Sequence, residues 1–351
     1  MSVEKTEERR DLEPQVKKIR SGALFHSWNG LDLDCERDSI LSRDHLVEKL
    51  RSSLYKSRFV MLCSPPATGK TALCQMLVNR YQFAHKFISC RTGEIPSEEL
   101  EVAGINLKQQ EAQPRDHLYV VVLDDAQDIY KFKDFWKVLV KGVWIPSSYV
   151  FIVCATYVLV SGKDTPTELQ LVPRLSRDDF LLTNEECEEL FDRTWSPPTI
   201  MDKFGRNWMG LKDNRQIRNP VLNQCGNVVG ALRLSVKKIC DCFRDGNPTV
   251  EDILTYFLLS SRFLQELPRV FGEHNEPADP EFSKFFREFF SSPFRMNPTP
   301  KQKETLETLI KCGVVFQENG KYEFTSTLAK RYYFRKIFPS RPTELPESLK
   351  E

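Results

Sequence analysis

One stretch of the chain decides how the rest is interpreted, and it reads Phe59-Val60-Met61-Leu62-Cys63-Ser64-Pro65-Pro66-Ala67-Thr68-Gly69-Lys70-Thr71. A short apolar run leads into a turn-rich loop that ends in Gly-Lys-Thr, and an apolar stretch follows from Ala72 to Val78. A strand, a loop and a helix in this order are typical of a phosphate-binding loop, in which backbone N–H groups surround the phosphates. In such a loop the lysine contacts the β- and γ-phosphates, and the threonine hydroxyl binds Mg²⁺.

The loop departs from the usual G-x-x-x-x-G-K-[ST] pattern at its start. Ser64 stands where the first glycine is expected, and Pro65 and Pro66 remove two backbone donors. Glycine is favoured at that position because it permits positive φ and close approach of the backbone. Serine is small enough to substitute, so we interpret the segment as a modified loop. The predicted nucleotide contacts are Ser64, Pro65, Pro66, Ala67, Thr68, Gly69, Lys70 and Thr71.

A second apolar run supports this interpretation. Residues 118–123 are continuously apolar and are followed by the paired acids Asp124 and Asp125. Continuous apolarity suits a parallel strand covered on both faces, and ligands bind at the carboxyl ends of such strands. We therefore predict that Thr71 and Asp124 hold Mg²⁺, and that Lys70 and Asp125 are catalytic, Asp125 by orienting or deprotonating the attacking water. The alternative is a core strand followed by an acidic turn.

A third β-rich run, from Ser148 to Thr156, ends in a small polar residue. Nucleotide hydrolases of the AAA+ and STAND type place a polar sensor of the γ-phosphate at this point, which makes Thr156 the candidate sensor. The alternative is a hydroxyl that satisfies a local turn.

Together these elements resemble P-loop ATPases of the AAA+ and STAND type, including the archaeal-type ATPases. The shared features are the Ser-Arg-x-x-x-Leu-x-x-x-Leu helix from Ser42, the Gly-Lys-Thr loop, the Leu-Asp-Asp strand and the Ala-Thr strand. The segment from Cys225 to Arg233 is similar to the element that opens their helical lid. The resemblance implies that Arg233 contacts the γ-phosphate, and the alternative for it is a surface ion pair.

The C-terminal part is similar to the end of ATPase modules in Crinkler-type effector proteins. The similarity lies in the stretches 311–316, 322–326 and 331–333. In many relatives a restriction-endonuclease-like domain follows this module. We expect none in this chain, which ends at Glu351.

The predicted fold class is α/β, with a parallel-sheet P-loop NTPase core followed by a helical lid and a C-terminal winged-helix-like domain. Parallel strands need helical connections, and we expect them near residues 59–63, 85–90, 118–123 and 149–155. The expected divisions are a disordered charged leader in 1–22, the nucleotide-binding domain in 23–183, the lid in 184–248, the winged-helix-like domain in 249–340 and a tail in 341–351.

Other local patterns complete this division of the chain. Helices are expected from Ser39 to Leu54, with Ser42 as N-cap, and over residues 249–290, whereas residues 195–220 are expected to form a loop. Asn319-Gly320 between two apolar runs predicts a hairpin with a type I′ turn. The hairpin could pack on the ATPase core, or it could contact DNA phosphates together with nearby basic residues, which are Lys330, Arg331, Arg335 and Lys336.

Composition sets limits on the function. The 351 residues are 40% hydrophobic and 28% charged, which is ordinary for a globular protein, and the net charge of +1 gives no general attraction to nucleic acid or membrane. The N-terminus lacks the apolar core of a secretory signal, and no stretch approaches 18 apolar residues. The ten cysteines lack metal-ligand spacing and predict buried reduced thiols. We expect an intracellular protein, cytoplasmic or nuclear.

These observations predict an ATP-binding, Mg²⁺-dependent ATPase that acts as a nucleotide-controlled switch or signalling module. ATP is preferred to GTP through the resemblance and because the chain contains no Asn-Lys-x-Asp motif. One alternative is a nucleotide-holding interaction module with little turnover, since fewer loop donors should weaken the grip on phosphate. Another is an ATP-regulated DNA-binding protein. A protein partner or self-assembly is left open, with Arg174 and Arg177 as candidate arginine fingers.

Overall fold

A computed structural model describes seven segments of the chain, which are residues 41–156, 166–195, 210–244, 248–271, 280–291, 298–318 and 321–338. The predicted leader, the predicted tail and the turn at Asn319-Gly320 lie outside the described residues. Within those seven segments no helix is long and apolar enough to cross a lipid bilayer.

The strands of the described segments are, in chain order, β1 Phe59–Cys63, β2 Ala84–Ser89, β3 Ile105–Asn106, β4 Glu111–Ala112, β5 Tyr119–Asp124, β6 Tyr149–Ala155, β7 Arg174–Leu175, β8 Val315–Glu318 and β9 Lys321–Phe324. Five of them form a sheet in the order β2-β5-β6-β1-β7, and all neighbours in this sheet run parallel. The predicted α/β class and the four predicted strands are confirmed. The two-residue edge strand β7 was not predicted, because it is too short to show a period.

The helices of the same segments are α1 Asp44–Lys56, α2 Lys70–Tyr81, α3 Ser97–Val102, α4 Lys133–Lys141, α5 Thr167–Gln170, α6 Arg177–Phe180, α7 Asn184–Trp195, α8 Arg215–Cys225, α9 Val229–Cys242, α10 Val250–Leu259, α11 Ser261–Leu264, α12 Pro268–Phe271, α13 Pro280–Ser291, α14 Pro300–Lys311 and α15 Thr327–Ile337. Helices α1 and α2 cover one face of the sheet, and α4 and α5 cover the other. All seven residues of β6 are buried between these two layers, which explains its continuous apolarity.

Local details differ from the sequence predictions at two places. Helix α1 begins at Asp44, and the residue before it is Arg43 in the left-handed region, so Ser42 is not the cap. Pro220 lies inside α8 and not in a loop. Residues 249–290, predicted to be helical, contain helices α10 to α13 in their described part, as expected.

The C-terminal half packs around a core of its own. This core contains apolar side chains from α7 to α15 and from β8, including a cluster of phenylalanine rings around Phe286. Helix α14, the antiparallel pair β8–β9 and α15 follow one another in the order expected for a helix, a hairpin and a helix. Whether they act as a winged helix stays a prediction.

The position of Arg331 shows that its predicted contact with DNA phosphates is wrong. Its side chain is 1% exposed, lies over the ring of Phe257 and donates from Nη2 to the Phe257 carbonyl. Burial lowers the pKa of Arg331 to about 10. Arg331 therefore belongs to the core and is not available for DNA phosphates.

Arg43 connects the sheet to the helical half. Its guanidinium donates hydrogen bonds to the carbonyls of Asp179, Phe180 and Leu181 at the end of α6, over 3.3, 2.8 and 3.0 Å, and pairs with Glu186. The side chain is buried, so water cannot replace these contacts. One arginine thus satisfies three carbonyls that a helix end would leave unpaired.

We expect Arg43→Ala to lower the free energy of unfolding by about 2–4 kcal/mol, because one buried and two partly buried carbonyls and Glu186 lose their partner. Urea titration followed by circular dichroism measures this change. Arg80→Ala is the matched control, since Arg80 pairs with Asp44 at the exposed surface beside Arg43, and such pairs contribute about 0–1 kcal/mol. Equal losses in the two variants would contradict the role given to Arg43.

Candidate functional site

The carboxyl ends of β1 and β5 meet at one edge of the sheet. There the Thr71 hydroxyl, in the first turn of α2, donates a 2.8 Å hydrogen bond to Asp124 Oδ2 at the end of β5. The structure therefore brings the Gly-Lys-Thr loop and the first of the two acids together, although 53 positions separate them in the chain.

The loop between β1 and α2 is held by its own side chains. Lys70 Nζ donates to the carbonyl oxygens of Ser64 and Pro65 over 2.6 and 2.9 Å, and the Thr68 hydroxyl donates to Pro65 O over 2.8 Å. Burial lowers the pKa of the Lys70 ammonium. The Thr68 hydroxyl and the Lys70 ammonium are thus both hydrogen-bonded to the backbone at the start of this loop.

Two positions of the loop have positive φ. Gly69, at φ 93°, adopts a conformation that glycine permits at little cost. Ala67, at φ 58°, adopts the left-handed conformation with a β-carbon present, which costs about 1–2 kcal/mol. Such strain is common where a loop must present its backbone to a ligand.

The two acids differ in their surroundings. Burial, and next the neighbouring Asp125 charge, raise the pKa of Asp124, while the Thr71 hydrogen bond opposes this shift. Asp125 has a left-handed backbone at φ 55° and forms an ion pair with the exposed Arg91, which follows β2. Arg91 was not identified from the sequence, because an arginine in a polar loop carries no pattern of its own.

Thr156 follows β6, the strand between β1 and β5. Its backbone N–H donates to Gln127 Oε1 over 3.1 Å, and its side chain is buried. Gln127 lies in the short 3₁₀ helix Ala126–Ile129 directly after the acids. It therefore links the end of β5 to the end of β6, a role that sequence reasoning missed.

The predicted arginines lie in three different settings. Arg233 is half-buried on α9, one turn beyond the start of the helix. Arg174 is exposed on the edge strand β7. Arg177 places its guanidinium 4.0 Å from the ring centre of Phe316 and donates to Thr325 O. Arg177 is thus engaged with its own C-terminal half, which disfavours it as a finger offered to a neighbouring subunit.

Two glycines of the C-terminal half touch the loop directly. Gly230, in the first turn of α9, donates from its N–H to Ala67 O over 2.8 Å, and a β-carbon added to it would lie 2.4 Å from Ala67 Cβ. A β-carbon added at Gly313, before β8, would lie 2.1 Å from Pro66 Cδ. The loop is therefore packed between the backbone of α9 and the backbone that leads into the hairpin.

The residues at this edge suit a small hard cation. Thr71 and Asp124 offer a hydroxyl and a carboxylate, which are ligands that Mg²⁺ accepts, and Mg²⁺ usually completes its shell with water and phosphate oxygens. In the described part of the chain no group of three or more His, Cys, Asp or Glu side chains could hold a metal alone. A cation here would need oxygens from a ligand.

No family model matches the chain, and no curated protein matches it. Among solved structures, the Walker-type ATPase PABY2304 of Pyrococcus abyssi aligns at 14% identity over 89% of this chain and 100% of its own, with a TM-score of 0.56. The RuvB Holliday junction branch migration motor of Thermotoga maritima aligns at 13% identity over 88% and 99%, with a TM-score of 0.49.

The ORC1 protein of Aeropyrum pernix, solved in complex with DNA, aligns at 13% identity over 88% of this chain and 96% of its own, with a TM-score of 0.43. The likeness to RuvB and ORC1 is too distant to support an argument. The likeness to the Pyrococcus ATPase shows the fold alone. The chain has the P-loop NTPase α/β fold, with a central parallel sheet flanked by helices.

We expect Gly230→Ala to destabilise the protein by about 1–3 kcal/mol, because the new methyl group would overlap Ala67. In a helix this exchange is otherwise favourable by about 1 kcal/mol. Gly210→Ala is the matched control, since Gly210 is also helical and, among the described residues beyond its chain neighbours and its own helix backbone, no atom lies within 4 Å of its added β-carbon. Thermal unfolding should separate the two variants, and a Gly230→Ala protein as stable as the control would contradict the close contact.

Asp124→Asn should leave the metal-free protein as stable as the wild type, or more stable, at neutral pH. A raised pKa means that the folded state disfavours the ionised carboxylate, so its cost is fully present above the folded pKa and disappears at acid pH. The amide can still bond Thr71 and the Asp125 N–H. Urea titrations from pH 4 to 8 measure the difference, which should grow as pH rises. A less stable variant at neutral pH would contradict this account.

Proposed function

We propose that the protein is an ATP-binding, Mg²⁺-dependent ATPase that acts as a nucleotide-controlled switch. The observation that carries the proposal is the 2.8 Å contact between Thr71 and Asp124, because it joins a Gly-Lys-Thr loop to an acid at the carboxyl edge of a parallel sheet. The fold of the Pyrococcus ATPase supports the same class. ATP as the nucleotide rests on the family resemblance described above.

The side chains at this edge have separable roles in the proposed reaction. Lys70 would exchange the carbonyls of Ser64 and Pro65 for phosphate oxygens and neutralise their charge. Thr71 and Asp124 would hold Mg²⁺, which when bound stabilises negative charge on the phosphates. Asp125 would orient or deprotonate the attacking water after leaving Arg91. Thr156, fixed by Gln127, would face the terminal phosphate.

The contacts of Gly230 and Gly313 with the loop support the switch. A change in the loop on nucleotide binding or hydrolysis would have to move α9 and the segment before β8, since both touch the loop without an intervening side chain. In this proposal residues 23–183 bind the nucleotide, 184–248 form the lid and 249–340 form a winged-helix-like domain that reports the state. Arg233 on the lid would contact the γ-phosphate, as in STAND ATPases.

A nucleotide-holding module with little turnover is the second candidate. The ion pair between Asp125 and Arg91 favours it, because it engages the carboxylate that would act on water. The missing donors at Pro65 and Pro66 also favour it. The DNA-binding alternative loses support with the burial of Arg331.

We also propose a reducing, intracellular setting. In the described segments the nine cysteines are all free thiols, and most of them are buried. The likeness to Crinkler-type effector modules, a protein partner and self-assembly stay predictions.

Phosphate release from ATP with Mg²⁺ tests the proposed reaction. We expect Lys70→Ala and Asp125→Asn each to reduce the rate by at least about 100-fold, because each removes charge or proton transfer needed in the transition state. Asp116→Asn is the control, since Asp116 is exposed before β5, at the opposite end of that strand from Asp125. ATP binding to the wild type and to each variant is measured by isothermal titration calorimetry.

The outcomes separate the two candidates. Release by the wild type that is lost in the two variants supports the ATPase. ATP binding without release supports the nucleotide-holding module. A wild type that binds no ATP in the presence of Mg²⁺ would remove both.

A further inference from the structure

Ser64 carries a buried hydroxyl that nothing in the fold accounts for. The residue is 1% exposed, and its Oγ has no hydrogen-bond partner among the described residues. A buried hydroxyl without a partner is unfavourable, and a bound ligand that accepts its hydrogen bond would remove that cost. Glycine, the usual residue at this position, would carry no such cost.

Strand alternation indicates the face of the sheet on which the Ser64 hydroxyl lies. Ser64 continues β1, since its N–H donates to Ala155 O over 3.2 Å. Alternation along a strand puts its side chain on the same face as Val60 and Leu62, which pack against α2. This is the face over which the loop runs from Ser64 to the start of α2.

The Ser64 hydroxyl matters because the start of the loop has few other hydrogen-bond donors. The backbone N–H of Ser64 is used by Ala155, and Pro65 and Pro66 have none. The first three loop positions therefore present no free backbone donor. The other hydroxyl of the loop, on Thr68, is already donated to Pro65 O. The Ser64 hydroxyl is thus the hydrogen-bond donor that residues 64–66 still offer to a ligand.

Its neighbours indicate which phosphate it would reach. The Ser64 carbonyl accepts from Lys70 Nζ, the group that contacts β- and γ-phosphates in such loops. The strand next to Ser64, β6, is followed by Thr156, the candidate γ-phosphate sensor. Ser64 therefore lies on the side of the terminal phosphate.

We propose that the Ser64 hydroxyl donates a hydrogen bond to the terminal phosphate of a bound nucleoside triphosphate. This inference rests on the proposed function and assigns the side chain of Ser64, one of the predicted loop contacts, to the terminal phosphate. The serine hydroxyl would then act as a hydrogen-bond donor at the start of the loop, where Pro65 and Pro66 have no backbone N–H.

The test compares Ser64→Ala with Ser148→Ala. Ser148 also has a buried Oγ, which finds no partner in the described part of the chain, and it precedes β6 at the opposite end of that strand from Thr156. Isothermal titration of the full chain uses ADP and a β,γ-imido analogue of ATP, both with Mg²⁺. Differential scanning calorimetry gives the Tm of each free protein.

We expect Ser64→Ala to weaken binding of the imido analogue about tenfold, the loss for one hydrogen bond to a charged group. ADP binding should be unchanged, because ADP lacks the terminal phosphate. The Tm of the free Ser64→Ala protein should be equal or higher, because the variant removes an unpaired buried group. Ser148→Ala should bind both nucleotides like the wild type.

Each other outcome overturns the inference. If Ser64→Ala binds the analogue as well as the wild type does, the hydroxyl makes no contact, while the proposed function stands. Equal weakening for ADP and analogue with a lower Tm would show that Ser64 only supports the fold of the loop. A wild type that binds neither nucleotide would remove the proposed function itself.

Discussion

The parallel register of β1, β6 and β5 is the constraint on which the whole site depends. Pairing Cys63 with Ala155 and Leu123 with Val153 makes the three strands end at the same edge. A loop that leaves β1 must then pass beside Asp124, and the hydrogen bond from Thr71 follows from that geometry. A slip of one residue in β5 would turn its acid to the opposite face of the sheet.

Much of this arrangement could be predicted from the sequence, because its signals are local and repeated. Apolar runs long enough to be buried on both faces predicted β1, β5 and β6, and the positions of the loop and the acids predicted the edge at which these strands end together. The contacts of Arg91 and Gln127 could not be predicted. Each contact joins a side chain to a residue of a different loop, and no periodicity or spacing in the sequence identifies such a pair.

The wrong predictions have a common cause, which is that packing outweighs local preference. Pro220 remains in α8, although proline is unfavourable inside a helix. Arg331 is charged and lies near other basic residues, yet aromatic rings and a carbonyl enclose it in the core. Arg43 takes the place expected for a cap and instead bonds the end of a distant helix. Each position is determined by neighbours far away in the chain.

The two prolines of the loop have a consequence for the thermodynamics of association. Their rings fix φ at two successive residues, and Pro66 is further confined by the backbone at Gly313. A segment that is already rigid loses little conformational entropy when a ligand arrives. Preorganisation of this kind would raise the affinity for a ligand by lowering the entropic cost of ordering the start of the loop.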